Sequence, residues 1–137
     1  IAFAIFISLA YLNLQALPFR YAPNRQMEQV KSIAQFVMDK AGGSPYNFAL
    51  ITGGNSDHAY RFFFMTENKP PVTILNPGVD PERTSVTDQL LIVCETLPCH
   101  PLGHSLWEVA GFGRAEIVGE WDVSVVKVYK LVKYKGE

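Results

Sequence analysis

QLLIVCE, residues Gln89 to Glu95, decides the fold. Leu90, Leu91, Ile92, Val93 and Cys94 follow one another without a polar residue, and the run is too short for a helix. Such a stretch reads as a strand buried on both faces, at the centre of a sheet with layers on either side. Outward from it, YNFALIT (Tyr46 to Thr52) is a second buried strand, entered through Ser44-Pro45. Val72 to Leu75 is a third short strand, set off by Pro70-Pro71 and Pro77. Before these, Gln26 to Ala41 carries Met27, Val30, Ile33, Ala34, Phe36, Val37 and Met38 at helical spacing and stops at Gly42-Gly43. Gly53 to Ser56 turns the chain, with Asn55 or Ser56 capping a helix that runs to about Glu67. A polar loop covers 76–87, and a short helix is expected near Ser105 to Ala110. Ala115 to Asp122 and Val125 to Tyr134 read as an antiparallel hairpin. In its second strand, Val126, Val128 and Lys130 face one way and Lys127, Tyr129 and Leu131 the other, which suits an edge strand. The order predicts an α/β fold: a small three-layer sandwich with a mostly parallel central sheet and an antiparallel C-terminal hairpin at one edge.

The first 17 residues, IAFAIFISLAYLNLQAL, carry no charge. Their length lies at the lower edge of what spans a bilayer as a helix. Phe19, Arg20 and Tyr21 follow as an aromatic and basic cluster of the kind found at the water boundary. A signal peptide would show a basic start and a small-residue cleavage site, and a core helix would show a polar stripe. Neither pattern is present, so 1–17 reads as the C-terminal part of a transmembrane helix, 18–25 as a linker and 26–137 as one α/β domain. The missing initiator Met suggests a fragment preceded by more membrane protein.

The 137 residues are 48% hydrophobic and 18% charged, so the domain can build a core and is not disordered. A net charge of -1 argues against nucleic acid as a partner. Lys127, Lys130, Lys133 and Lys135 alternate with apolar residues, as on a solvated strand face.

Among motifs, ALITGGNSDH is the best ligand loop, because a Gly-rich turn between strand and helix aims backbone N–H groups outward. Gly53, Gly54, Asn55, Ser56 and Asp57 are its candidate binding residues. It lacks the GK[ST] of a P-loop and the third Gly of a dinucleotide fingerprint, and a tight turn with a helix cap is the plainer reading. CETLPCHPLGH places Cys94, Cys99, His100 and His104 in the order C-x4-C-H-x3-H. A tetrahedral zinc site is opposed by a Cys94 aimed into the core and by the adjacency of Cys99 and His100. A Cys94–Cys99 disulfide fits if the domain lies outside the cytoplasm, with an entropic gain of only about 2 kcal/mol for so short a loop. Two unpaired thiols are the third reading. Ser56 with His58 and Ser105 with His104 are the near nucleophile–base pairs, but neighbours in sequence seldom form a dyad and no G-x-S-x-G elbow occurs. Asp57, Asp88, Glu95, Glu108 and Asp122 form no pair marked by spacing. No catalytic residue, metal or cofactor is expected in this chain.

The stretch YNFALITGGNSDHAYRF, the segment from Asp88 to Val132 and the apolar start together resemble the C-terminal tail of bacterial membrane glycosyltransferases related to the dolichyl-phosphate-mannose protein mannosyltransferases. The order of parts matches: a last helix, a short linker, then the domain. The resemblance implies a multi-spanning GT-C enzyme that moves a mannose-like sugar from a polyprenyl-phosphate donor to an acceptor on the extracytoplasmic side. The catalytic carboxylate of that family lies in an early loop, which would precede Ile1. The resemblance therefore implies an accessory role at the membrane surface, with the bilayer, the rest of the transferase and the lipid-linked sugar as partners.

Two further classes remain open. One is a membrane-anchored binding module that holds a small polar ligand at the carboxyl ends of its strands, beside Gly53 to Asp57 and the loop after Glu95. The other is a purely structural interaction domain.

Overall fold

The computed structural model describes residues 2–15, 17 and 22–136. The expected interface cluster of Phe19, Arg20 and Tyr21 lies outside the described residues. Among the described residues four helices and four strands follow in the order α1 (Ala2–Gln15), α2 (Gln26–Ala41), β1 (Asn47–Ile51), α3 (His58–Thr66), β2 (Gln89–Cys94), α4 (Trp107–Phe112), β3 (Ala115–Val123) and β4 (Val126–Lys133). The strands form one mixed sheet in the order β1-β2-β4-β3.

The centre is β2, every residue of which is buried. It pairs in parallel with β1, with Phe48 opposite Leu91 and Leu50 opposite Val93. On its other side it pairs antiparallel with β4, with Val93 opposite Val128. Alternation then sorts the strands into two apolar layers. Phe48, Leu50, Leu91, Val93, Val126 and Val128 meet Ile33, Ala34 and Val37 of α2 and Tyr60, Phe63 and Phe64 of α3. Ala49, Ile51, Leu90, Ile92, Tyr129 and Leu131 meet Val109 and Phe112 of α4 together with Ile74 and Val86. The layered α/β architecture holds, and so does the facing of β4.

The sheet is not mostly parallel. Only β1–β2 is parallel, because the hairpin enters through β4 rather than lying outside the centre. β3 is therefore the edge on that side, and the Lys-rich strand β4 is internal. Its lysines are accommodated at their tips: Lys130 Nζ donates to the Lys40 carbonyl at the end of α2, 2.9 Å away.

Nor is Val72 to Leu75 a strand. Pro70-Pro71 supply no backbone donors, and the segment makes one ladder-like bond, Val72 N–H to Tyr46 O at 2.8 Å. It drapes over the edge of β1 and puts Ile74 into the second layer. Asn47, fully buried, fastens it. Its amide donates to Val72 O at 2.7 Å and Ser85 O at 2.9 Å, while its carbonyl accepts from Thr87 N–H at 2.8 Å and Thr87 Oγ1 at 2.9 Å. Asp80 organises the same loop by accepting from Thr84 and Ser85, backbone and hydroxyl in both cases. Gln89 Nε2 donates to the Ala41 carbonyl at 2.9 Å and so completes the end of α2. The amino ends of β1 and β2 are thus closed by satisfied polar groups.

Helix α1 stands apart. It buries no residue, and Phe3 and Phe6 are 75% and 69% exposed. Its 14 residues rise about 21 Å, short of a hydrocarbon core of about 30 Å. Among the described residues no helix is long and apolar enough to cross a membrane, so the expected end of a transmembrane span has no support from the fold itself.

Candidate functional site

The carboxyl ends of β1 and β2 are arranged differently from the amino ends. β1 runs out into Thr52 and the Gly53–Ser56 turn, and β2 into Glu95, whose N–H donates to Ile51 O at 2.9 Å. The Glu95 carboxylate gathers three side chains. Thr52 Oγ1 donates to Oε2 at 2.9 Å, Asn55 Nδ2 to Oε2 at 2.7 Å, and Tyr60 OH to Oε1 at 2.8 Å. Tyr60 is buried, and burial first, then the bond to Glu95, push its phenol well above its ordinary pKa. Glu95 was one of several unpaired carboxylates in the sequence. Nothing there indicated that it would be joined by residues 35 to 43 positions away.

Glu95 and Tyr60 lie at one side of an open cleft of about 890 Å³. Its walls are the first turns of α2 (Gln26, Met27, Gln29, Val30), residues Ala59, Phe62 and Phe63 of α3 and the β3–β4 turn (Val125, Val126). Met27, Phe62 and Val125 are 70%, 53% and 67% exposed at its rim. The spacing of α2 puts Met27 on its apolar stripe, but Met27 is no part of the core cluster and lines this opening instead.

The sequence-predicted loop divides at this site. Asn55 and Ser56 line the cleft, whereas Gly53, Gly54 and Asp57 do not. Neither glycine is held open by its surroundings: a Cβ at Gly54 would meet nothing within 4 Å, and one at Gly53 would make ordinary contact with Thr96. Asp57, rather than Asn55 or Ser56, occupies the N-cap position of α3. It makes no capping bond through its side chain and pairs with Arg61 instead. Ser56 Oγ does approach His58 Nδ1, at 2.8 Å. Both residues are exposed, and among the described residues no carboxylate orients that imidazole, so a triad is not formed.

Cys94 and Cys99 are joined as a disulfide with Cα atoms 6.2 Å apart, closing the loop that begins at Glu95. Cys94 is fully buried and belongs to the second apolar layer. His104 Nδ1 accepts from Leu106 N–H at 3.1 Å just before α4. Among the described residues no group of His, Cys, Asp and Glu has the arrangement of a metal site. No protein-family profile matches the sequence, and no curated protein and no solved structure is found to be similar to it.

Proposed function

We propose that this chain is a non-catalytic, membrane-proximal domain on the extracytoplasmic side of a membrane-embedded glycosyltransferase that uses a polyprenyl-phosphate sugar donor. One observation carries the membrane part of the reading: α1 is uncharged and exposed along its whole length. In water such a helix would leave a large apolar surface unburied, at about 25 cal/mol for each Å², so it calls for lipid or for other apolar helices. The linker of ten residues between α1 and α2 reaches at most about 35 Å, which keeps the domain at the membrane surface. The Cys94–Cys99 bond suits an oxidising compartment. The transferase itself rests on the resemblance of the sequence, and the catalytic group would lie outside this chain.

Flotation of the 137-residue chain with neutral phosphatidylcholine vesicles tests the attachment. The chain should float, and should still float in 1 M salt, where electrostatic attachment is screened. Replacing Phe3, Phe6 and Leu12 by Gln should leave it at the bottom of the gradient. A parent chain that stays at the bottom, or a variant that floats equally well, overturns the reading.

The cleft at the strand ends favours a second reading that is compatible with the first. An open α/β sheet binds ligands beyond the carboxyl ends of its strands, and a volume of about 890 Å³ is ample for a small molecule. The domain then serves as a binding module, whether or not a transferase accompanies it.

A further inference from the structure

The chemistry of the cleft narrows what it can hold. Among the described residues no Lys, Arg or His lines it, and the formal charge in that lining is the Glu95 carboxylate. Arg61 is nearby in sequence but is engaged by Asp57. A phosphate or carboxylate ligand would therefore meet repulsion from Glu95 with no Lys or Arg of the described lining to offset it, and His58, bonded to Ser56 Oγ at 2.8 Å, does not itself line the cleft. Glu95 accepts three hydrogen bonds of the roughly four that a carboxylate can take. It retains room for one further donor, O–H or N–H, at the cleft.

The neutral lining decides between those donors. Gln26, Gln29, Asn55 and Ser56 each both donate and accept hydrogen bonds. A hydroxyl also does both, so several hydroxyls on one ring can satisfy such a set. An ammonium only donates and would leave the amide N–H groups without acceptors. The opposite wall is apolar, with the Phe62 ring and Met27 at the rim exposed to solvent. That wall suits the C–H face of a pyranose, and aromatic surface exposed beside convergent polar groups is how amphipathic rings are held.

We propose that the cleft binds an uncharged carbohydrate, with a pyranose ring lying against Phe62 and its hydroxyls on Glu95, Asn55 and Ser56. The assignment rests on the second reading above, the cleft as a binding site. It is independent of membrane attachment, since a chain that fails to float can still bind sugar.

The test is amide NMR of the 137-residue chain in nanodiscs, titrated separately with methyl hexopyranosides, putrescine and inorganic phosphate. A neutral pyranoside should give saturable shifts at Asn55, Ser56 and Phe62, with a dissociation constant on the order of 1 mM for a single small ring. Phe62→Ala and Ser56→Ala change exposed side chains, so both variants should keep the parent spectrum elsewhere. Phe62→Ala should weaken binding about tenfold, and Ser56→Ala severalfold. Shifts with putrescine or phosphate alone, no shift with any pyranoside, or sugar binding unchanged in both variants would each overturn the proposal.

Discussion

Tyr60 and Glu95 supply the sharpest energetic test of the site. Tyr60 OH, on a buried ring, donates to Glu95 Oε1 at 2.8 Å. A hydrogen bond to a charged group contributes about 1.5–3 kcal/mol. Glu95 is only partly buried and keeps Thr52 and Asn55 as donors, so the low end applies and Tyr60→Phe should cost about 1.5 kcal/mol. Glu95→Gln keeps the shape but offers one acceptor oxygen where three donors converge, and should cost about 2 kcal/mol. The double variant should cost less than the sum, leaving a coupling of about 1 kcal/mol. Urea midpoints at constant slope give the four stabilities. Ultraviolet titration of the phenols gives a second readout. Burial is the larger cause of the raised Tyr60 value, so in Glu95→Gln the phenol should titrate lower than in the parent yet still above the ordinary value of about 10. The sign for stability follows from linkage. A raised phenol pKa stabilises the folded state fully below about pH 10, and that contribution is lost as pH rises through the folded value. A coupling below about 0.3 kcal/mol, within the scatter of independent sites, would refute the carboxylate network as the organiser of the cleft.

Other consequences concern the scaffold. Val93→Asp places a charge on a strand residue with no exposed surface, and a buried unpaired charge costs about 3–5 kcal/mol. The variant should therefore show no cooperative thermal transition by circular dichroism, and a melt within about 1 kcal/mol of the parent would contradict the assignment of β2 as central. Hydrogen bonds from Ser85 and then Thr84 hold the Asp80 carboxyl well below the usual carboxylate range. Its contribution is thus complete above about pH 4 and is lost as pH falls through the depressed folded value. Asp80→Asn should flatten that acid limb of the urea midpoint against pH, and an unchanged limb would count against the loop's organisation. Thiol counting on denatured, unreduced protein from its native compartment should find no free thiol and no zinc, whereas two free thiols would contradict the Cys94–Cys99 bond.

Much of the architecture was legible in local pattern. The 16-residue α2 has the bounds its spacing and the Gly42-Gly43 stop imply, and β1 and β2 lie within the stretches YNFALIT and QLLIVCE that read as buried strands. What pattern could not supply was pairing. The hairpin's place beside β2 depends on which neighbour covers Leu90 and Ile92, and nothing local to Val126–Lys133 encodes that. Val72 to Leu75 looked like a strand because its composition is apolar. The two prolines before it and the Asn47 clamp make it a cover for the edge of β1 instead. At the candidate site, the Gly-rich turn pointed to the end of the sheet where the cleft lies and to Asn55 and Ser56 of its lining, but also to Gly53, Gly54 and Asp57, which do not line it. Glu95 and Tyr60 escaped, because a carboxylate and a phenol far apart in sequence carry no motif.

The proposed membrane attachment of α1 is most directly tested by spin-label accessibility in phosphatidylcholine vesicles. A nitroxide replaces Phe6 in one variant of the 137-residue chain and Glu67, just past α3, in another. The label at Phe6 should be relaxed by oxygen, which partitions into lipid, and shielded from a water-soluble nickel chelate. The label at Glu67 should show the reverse preference. Equal and high nickel accessibility at both positions would place α1 in water and contradict the account.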